Sequence, residues 1–127
     1  EQRYLAVFRR GIACRELGLH ERAAEAFRTT MQLTDTIEAA QAQYNLGAMA
    51  FAREDYTRAA KQFLRVEMLY DYPEISPKAL YRAVQAFRRA GEPNRAAIYL
   101  EKLRLNYPDS EWAEKAERPP TQDPDTP

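Results

Sequence analysis

Residues 56–69 read Tyr56-Thr57-Arg58-Ala59-Ala60-Lys61-Gln62-Phe63-Leu64-Arg65-Val66-Glu67-Met68-Leu69. Apolar residues fall at Tyr56, Ala59, Ala60, Phe63, Val66 and Leu69. Those steps of three and four lay one apolar stripe along an α-helix. The Arg-Ala-Ala inside this stretch occurs twice more, as Arg22-Ala23-Ala24 and Arg95-Ala96-Ala97, so the copies stand 36 and 37 residues apart. A fixed period of this size marks a stacked repeat, in which each unit buries its apolar face against its neighbour.

The register extends beyond the tripeptide. At a step of 36, Gly11 matches Gly47, Phe27 matches Phe63 and Leu33 matches Leu69. The third copy is shifted by one more residue: Gly91 corresponds to Gly18, and Leu100 replaces Phe27 and Phe63. Each unit reads as two helices. In the second, Ala40 to Arg53 is rich in good helix formers, Glu54-Asp55 breaks the pattern, and Tyr56 opens the next helix. Ser76-Pro77 reads as an N-cap followed by proline in the first turn. Asp35-Thr36-Ile37-Glu38 reads as a capping box. Gly18 and Gly91 fall at turns between paired helices. Gly11 and Gly47 fall inside first helices, where glycine costs about 1 kcal/mol against alanine. Close approach of the partner helix is the expected compensation. The alanines of the triplet are expected to pack the second helix onto the first. Its arginines lie at the start of the second helices.

These residues resemble the tetratricopeptide repeat family. Leu46, Gly47, Tyr56, Ala59, Phe63 and Pro73 fit its pattern best. The first unit keeps Gly11, Gly18, Ala23 and Phe27 but has Arg10 where leucine is usual. The third keeps Gly91, Ala96 and Pro108 but has Val84 for the helix glycine. The resemblance covers roughly residues 2–117. It implies an all-α fold: an α-solenoid of antiparallel helix pairs, about three units and a C-terminal capping helix, in a right-handed superhelix. Repeats are expected at about 4–37, 40–75 and 77–109, with the capping helix at about 110–117, in a domain spanning 1–118. Trp112 is expected to cover the last apolar face. Residues Leu69 to Ala79 and Leu105 to Ala113 share a Tyr-Pro pattern followed by Ser and Ala. That flavour is similar to bacterial cell-envelope repeat proteins.

A chain of 127 residues supports one domain, and 45% apolar with 30% charged residues suits a water-facing helical protein. The formal net charge is zero, so no bulk field favours nucleic acid or an anionic membrane. The longest uncharged run, Ala39 to Ala52, is too short to span a bilayer. The chain begins at Glu1 rather than methionine, so cytoplasm and periplasm both stay open. Residues 119–127 hold four prolines and nothing to bury, and read as a disordered tail or linker.

Chemistry has little to build on. His20 is the single histidine and reads as a packing residue at a turn. Cys14 is the single cysteine and reads as a small buried thiol. No metal-ligand spacing and no phosphate loop is present, so neither catalysis nor a cofactor is expected.

Function is expected where the repeats differ, on the inner face that the family lines with first helices. Mapped by register, the first unit offers Leu5, Phe8, Arg9, Ile12 and Arg15. The second offers Gln41, Tyr44, Asn45, Ala48 and Phe51. The third offers Lys78, Tyr81, Arg82, Gln85, Arg88 and Arg89. Phe8, Ile12, Tyr44, Asn45, Phe51, Lys78, Tyr81, Arg82, Gln85 and Arg89 form the candidate peptide-binding set. Lys78, Arg82 and Arg89 share one helical face and can hold a carboxylate. Asn45, Lys78 and Arg82 also match three positions of the carboxylate clamp in chaperone-binding members of the family. Phe8 and Ile12 stand where that clamp has lysine and asparagine.

The reading is a non-catalytic adaptor or assembly scaffold in a bacterial complex. Its partner would be a protein or peptide segment carrying an acidic or C-terminal carboxylate group. The alternative is a structural segment of a larger repeat array or envelope assembly that works by self-association or end-to-end contacts. Nucleic-acid binding and membrane insertion are not expected.

Overall fold

A computed structural model describes residues 2–118, and the expected tail at 119–127 lies outside them. Seven helices follow in order: α1 (Arg3–Glu16), α2 (His20–Leu33), α3 (Ile37–Ala52), α4 (Tyr56–Leu69), α5 (Ser76–Arg89), α6 (Pro93–Asn106) and α7 (Glu111–Glu117). Among the described residues there is no strand. Each helix packs on the next, and α7 also reaches back to α5, which gives an all-α solenoid of helix pairs.

The two helix glycines explain how the first pairs close. A Cβ on Gly11 would lie 2.8 Å from the ring of Phe27, and one on Gly47 would lie 2.7 Å from the ring of Phe63. Both phenylalanines are completely buried. The missing methyl group lets an aromatic ring lie directly on the helix backbone, a dense contact that offsets the propensity cost. The third pair uses buried Val84, with Leu100 packed against the same cluster.

The tripeptide divides into three roles. Its middle alanine is buried throughout: Ala23 and Ala59 at 0% and Ala96 at 2% exposure. Its last alanine varies: Ala24 is half-buried, Ala60 is buried and Ala97 is exposed. Ala97 therefore departs from the expected packing role. The arginine gains a partner three residues back in two of the units. Arg58 pairs with Asp55 at 3.3 Å and Arg95 with Glu92 at 3.4 Å. In the first unit that place holds Leu19.

Several local expectations change. The third unit's first helix begins at Ser76 itself, with Ile75 as N-cap and Pro77 in the first turn. Ser76 is buried, and its hydroxyl has no hydrogen-bond partner among the described residues. No capping box forms at α3. Thr36 is the N-cap, so Glu38 sits at the second helical position and accepts from the Thr36 hydroxyl (2.9 Å) rather than from a backbone N–H. Side-chain caps do form at Asp55, which accepts from Arg58 N–H at 3.4 Å, and at Ser110, which accepts from Ala113 N–H at 3.0 Å. Gly18 and Gly91 adopt φ +78° and +77°, and Glu54 holds the same turn position at φ 64°. His20 is exposed at the start of α2 rather than packed. Cys14 is half-buried beside the Phe27 cluster.

Candidate functional site

Two first helices, α3 and α5, bring cations and rings together. Lys78 lies at the start of α5, and its ammonium sits 4.9 Å from the Tyr44 ring centre and 5.9 Å from that of Trp112. One turn on, the Arg82 guanidinium lies 4.7 Å from Phe51 and 5.1 Å from Phe63. Two turns further, Arg89 lies 5.1 Å from Phe51 and 5.7 Å from Tyr56. Arg82 donates to the Tyr44 hydroxyl at 3.2 Å and Arg89 to that of Tyr56 at 3.4 Å. The rings pack on one another as well: Tyr44 on Phe63 at 5.1 Å and Phe51 on Tyr56 at 5.1 Å.

The electrostatics follow from this geometry. A cation over an aromatic face is attracted by the ring quadrupole, by about 0.5–1 kcal/mol at exposed sites and more when desolvated. The rings therefore fix Lys78 and Arg82 without neutralising them. Neither has a carboxylate within ion-pair distance among the described residues, and Arg82 Nε is buried with no hydrogen-bond partner. The arrangement can accept an anionic group from outside.

The ten candidate residues separate under this geometry. Tyr44, Phe51, Lys78, Arg82 and Arg89 form the cation–ring ladder. Phe8 and Ile12 pack, half-buried, on the Phe27 cluster, with Phe8 6.1 Å from Phe27. Asn45 is 7% exposed. Its Oδ1 accepts a hydrogen bond from Arg15 of α1, and its Nδ2 donates to the Gln41 carbonyl at 2.8 Å. Tyr81 and Gln85 point inward instead. Tyr81 is fully buried, 5.4 Å from Trp112, and Gln85 donates to its hydroxyl at 3.2 Å. Trp112 of the capping helix α7 lies against Tyr81, and the two buried residues support the ladder from below.

Three ring contributors were outside the sequence-derived set. Phe63 and Tyr56 stand on a second helix yet reach the cations of α5. Trp112 comes from α7. Its signal in the sequence was present in the apolar faces of the last pair, which need a cover, but repeat register alone does not say that the cover also flanks Lys78.

A separate cleft is lined by α2, α3 and α4, with a volume of about 730 Å³. Its rim mixes Glu21 and Glu25 with Arg28, Arg53 and Arg58, so no single charge accumulates there. Among the described residues no group of three or more His, Cys, Asp or Glu could hold a metal ion. No helix among them is long and apolar enough to cross a membrane.

In a comparison with known families, residues 78–110, which cover most of α5, all of α6 and the turn into α7, match the tetratricopeptide repeat model. The match supports a tetratricopeptide repeat protein, and repeats of this family generally mediate protein–protein interaction. A comparison with curated proteins finds no match.

Proposed function

We propose that the chain is a non-catalytic adaptor or assembly scaffold of a bacterial complex, binding a partner protein segment along the face formed by its first helices. The observation that carries this reading is the ladder of Lys78 and Arg82 held over Tyr44, Phe51, Phe63 and Trp112 without a carboxylate. Cations fixed over rings have lost their rotamer freedom before a ligand arrives, so less entropy remains to be spent on binding. An acidic side chain or C-terminal carboxylate of the segment meets Lys78 and Arg82, Arg82 offering a planar fork of donors. Apolar side chains of the segment rest on the exposed edges of Tyr44 and Phe51. Phe8 and Ile12 offer a shallower apolar end.

The test is calorimetric titration with acidic and amidated peptides. Arg82→Glu is expected to weaken capture of the acidic peptide at least tenfold while the helical circular dichroism and melting temperature stay close to wild type. Equal binding by Arg82→Glu and wild type would remove the anchor role. A second reading, self-association as a segment of a larger assembly, predicts a sedimentation coefficient that rises with concentration. A constant value favours the adaptor.

A further inference from the structure

The two junctions between units are built from equivalent positions and filled differently. Where the second unit meets the third, Phe87 of α5 and Tyr99 of α6 stack, with ring centres 5.5 Å apart and 10° between the planes. Leu64 of α4 packs into the same cluster, in which Ala60 is wholly buried. Where the first unit meets the second, steps of 36 and 37 put other residues in those places. Ala50 stands for Phe87, Gln62 for Tyr99, Arg28 for Leu64 and Ala24 for Ala60. All four line the cleft of about 730 Å³ between α2, α3 and α4. Ala24 is only half-buried there. The cleft is therefore the space that two rings and a leucine occupy one junction later.

The sequence keeps this space open in two ways. Ala50 has no side chain beyond Cβ with which to fill it. Gln62 has the length, but Gln43 of α3 holds it: the Gln43 amide donates to Gln62 Oε1 at 2.6 Å and to the Gln62 carbonyl at 3.0 Å. In the third unit the position of Gln43 belongs to buried Leu80, whose side chain has no donor, and Tyr99 stacks on Phe87. Leu46 and Met49 add apolar walls, and a thioether makes favourable contact with an aromatic ring. At the rim, Glu21, Glu25, Arg28 and Arg53 have no ion-pair partner among the described residues. The volume falls within the roughly 300–1,000 Å³ usual for a ligand site, and so does the pattern of apolar walls with a few polar groups.

We propose that this cleft binds an aromatic side chain, phenylalanine or tyrosine, presented by a segment of a partner protein. The ring supplies from outside what Phe87 and Tyr99 supply from within at the next junction. Unpaired charges of both signs at the rim fit a ring flanked in its own sequence by one basic and one acidic residue. A guanidinium over the bound ring repeats the pairing of Arg82 with Phe51 at 4.7 Å. Residues 119–127 contain no aromatic residue, so that segment is not the source of the ring. The site shares no residue with the cation–ring ladder and does not rest on it. One ring and two charges bury little surface, so the Kd is about 0.1–1 mM.

The experiment uses the full 127-residue chain with labelled methionine methyl groups, observed by NMR. The chain has three methionines: Met49 lines the cleft, while Met31 and exposed Met68 do not and serve as internal references. The probe is the capped peptide Gly-Lys-Phe-Glu-Gly, with a twin in which alanine replaces phenylalanine. The phenylalanine peptide is expected to shift the Met49 resonance saturably through its ring current, and the twin to bind at least about tenfold more weakly. The triple variant Gln43→Leu/Ala50→Phe/Gln62→Tyr installs the later junction's own filling and is expected to abolish binding with helical circular dichroism retained. Ala24→Trp plugs the same space from α2 and is expected to do likewise. Arg82→Glu is expected to leave binding intact; its loss there would place the peptide on the ladder and overturn the proposal. A Met49 resonance that stays still at millimolar peptide, equal binding by the alanine twin, or binding that survives both filled variants would overturn it too. So would a sedimentation coefficient that rises with concentration in wild type but not in the filled variants, because a second copy would then supply the ring.

Discussion

The second and third helix pairs are built to one plan and closed in two ways. In the second, Gly47 leaves room for the ring of Phe63 to lie on the backbone of α3, where an added Cβ would stand 2.7 Å from it. In the third, Val84 occupies the glycine's place and Leu100 that of the phenylalanine, and the valine is fully buried. Volume has moved from one helix to the other at constant plan. The difference teaches that helix spacing is set by the pair of residues together, and that neither position alone specifies it.

That comparison can be broken most severely at Gly47. Gly47→Val forces a β-branched side chain into the Phe63 ring and should cost about 3 kcal/mol, as overpacking of a dense core does. Denaturant melts would measure it. The double change Gly47→Val/Phe63→Leu installs the third pair's solution in the second and should recover about half of that loss or more. No recovery would mean that the two solutions are not interchangeable.

A smaller effect is expected in the opposite direction. Val84→Gly removes a buried side chain and adds glycine to a helix, and should cost about 2 kcal/mol. Adding Leu100→Phe should restore part of it if ring-on-backbone packing can form there.

The turns offer a gentler contrast. Gly91 takes its left-handed conformation without strain, whereas Glu54 at φ 64° pays for a side chain in the same place. Glu54→Gly should stabilise the chain by about 1 kcal/mol, read as a rise of several degrees in melting temperature. The smallest effect belongs to the triplet's arginine. Arg58→Ala removes an exposed pair with Asp55 and should change stability by less than about 0.5 kcal/mol.

Much of this was legible before any coordinates. Gly11 with Phe27 and Gly47 with Phe63 recur in register, and that recurrence carried both the helix pairing and the close approach. Glu54 could be read as occupying a glycine's turn by the same step. The candidate face was legible in part. Register places Lys78, Arg82 and Arg89 on one side of α5, because helical spacing is periodic. It cannot say that Tyr81, on the same list, is sealed against Trp112 of α7, because burial there depends on a helix that breaks the repeat. Nor could it give the partners of Arg15, whose guanidinium leaves its own unit for Asn45. Cap positions failed for a simpler reason. A helix start that slips by one residue, as at Ser76 and at Glu38, changes which group faces the backbone.

Trp112 is the single tryptophan of the chain, and the ammonium of Lys78 rests 5.9 Å from its ring. Indole emission responds to the charge beside it. A carboxylate that engages Lys78 alters that charge at the indole, so occupation of the cation–ring ladder can be followed in the ultraviolet, without a label, from a side chain whose structural task is to close the end of the stack.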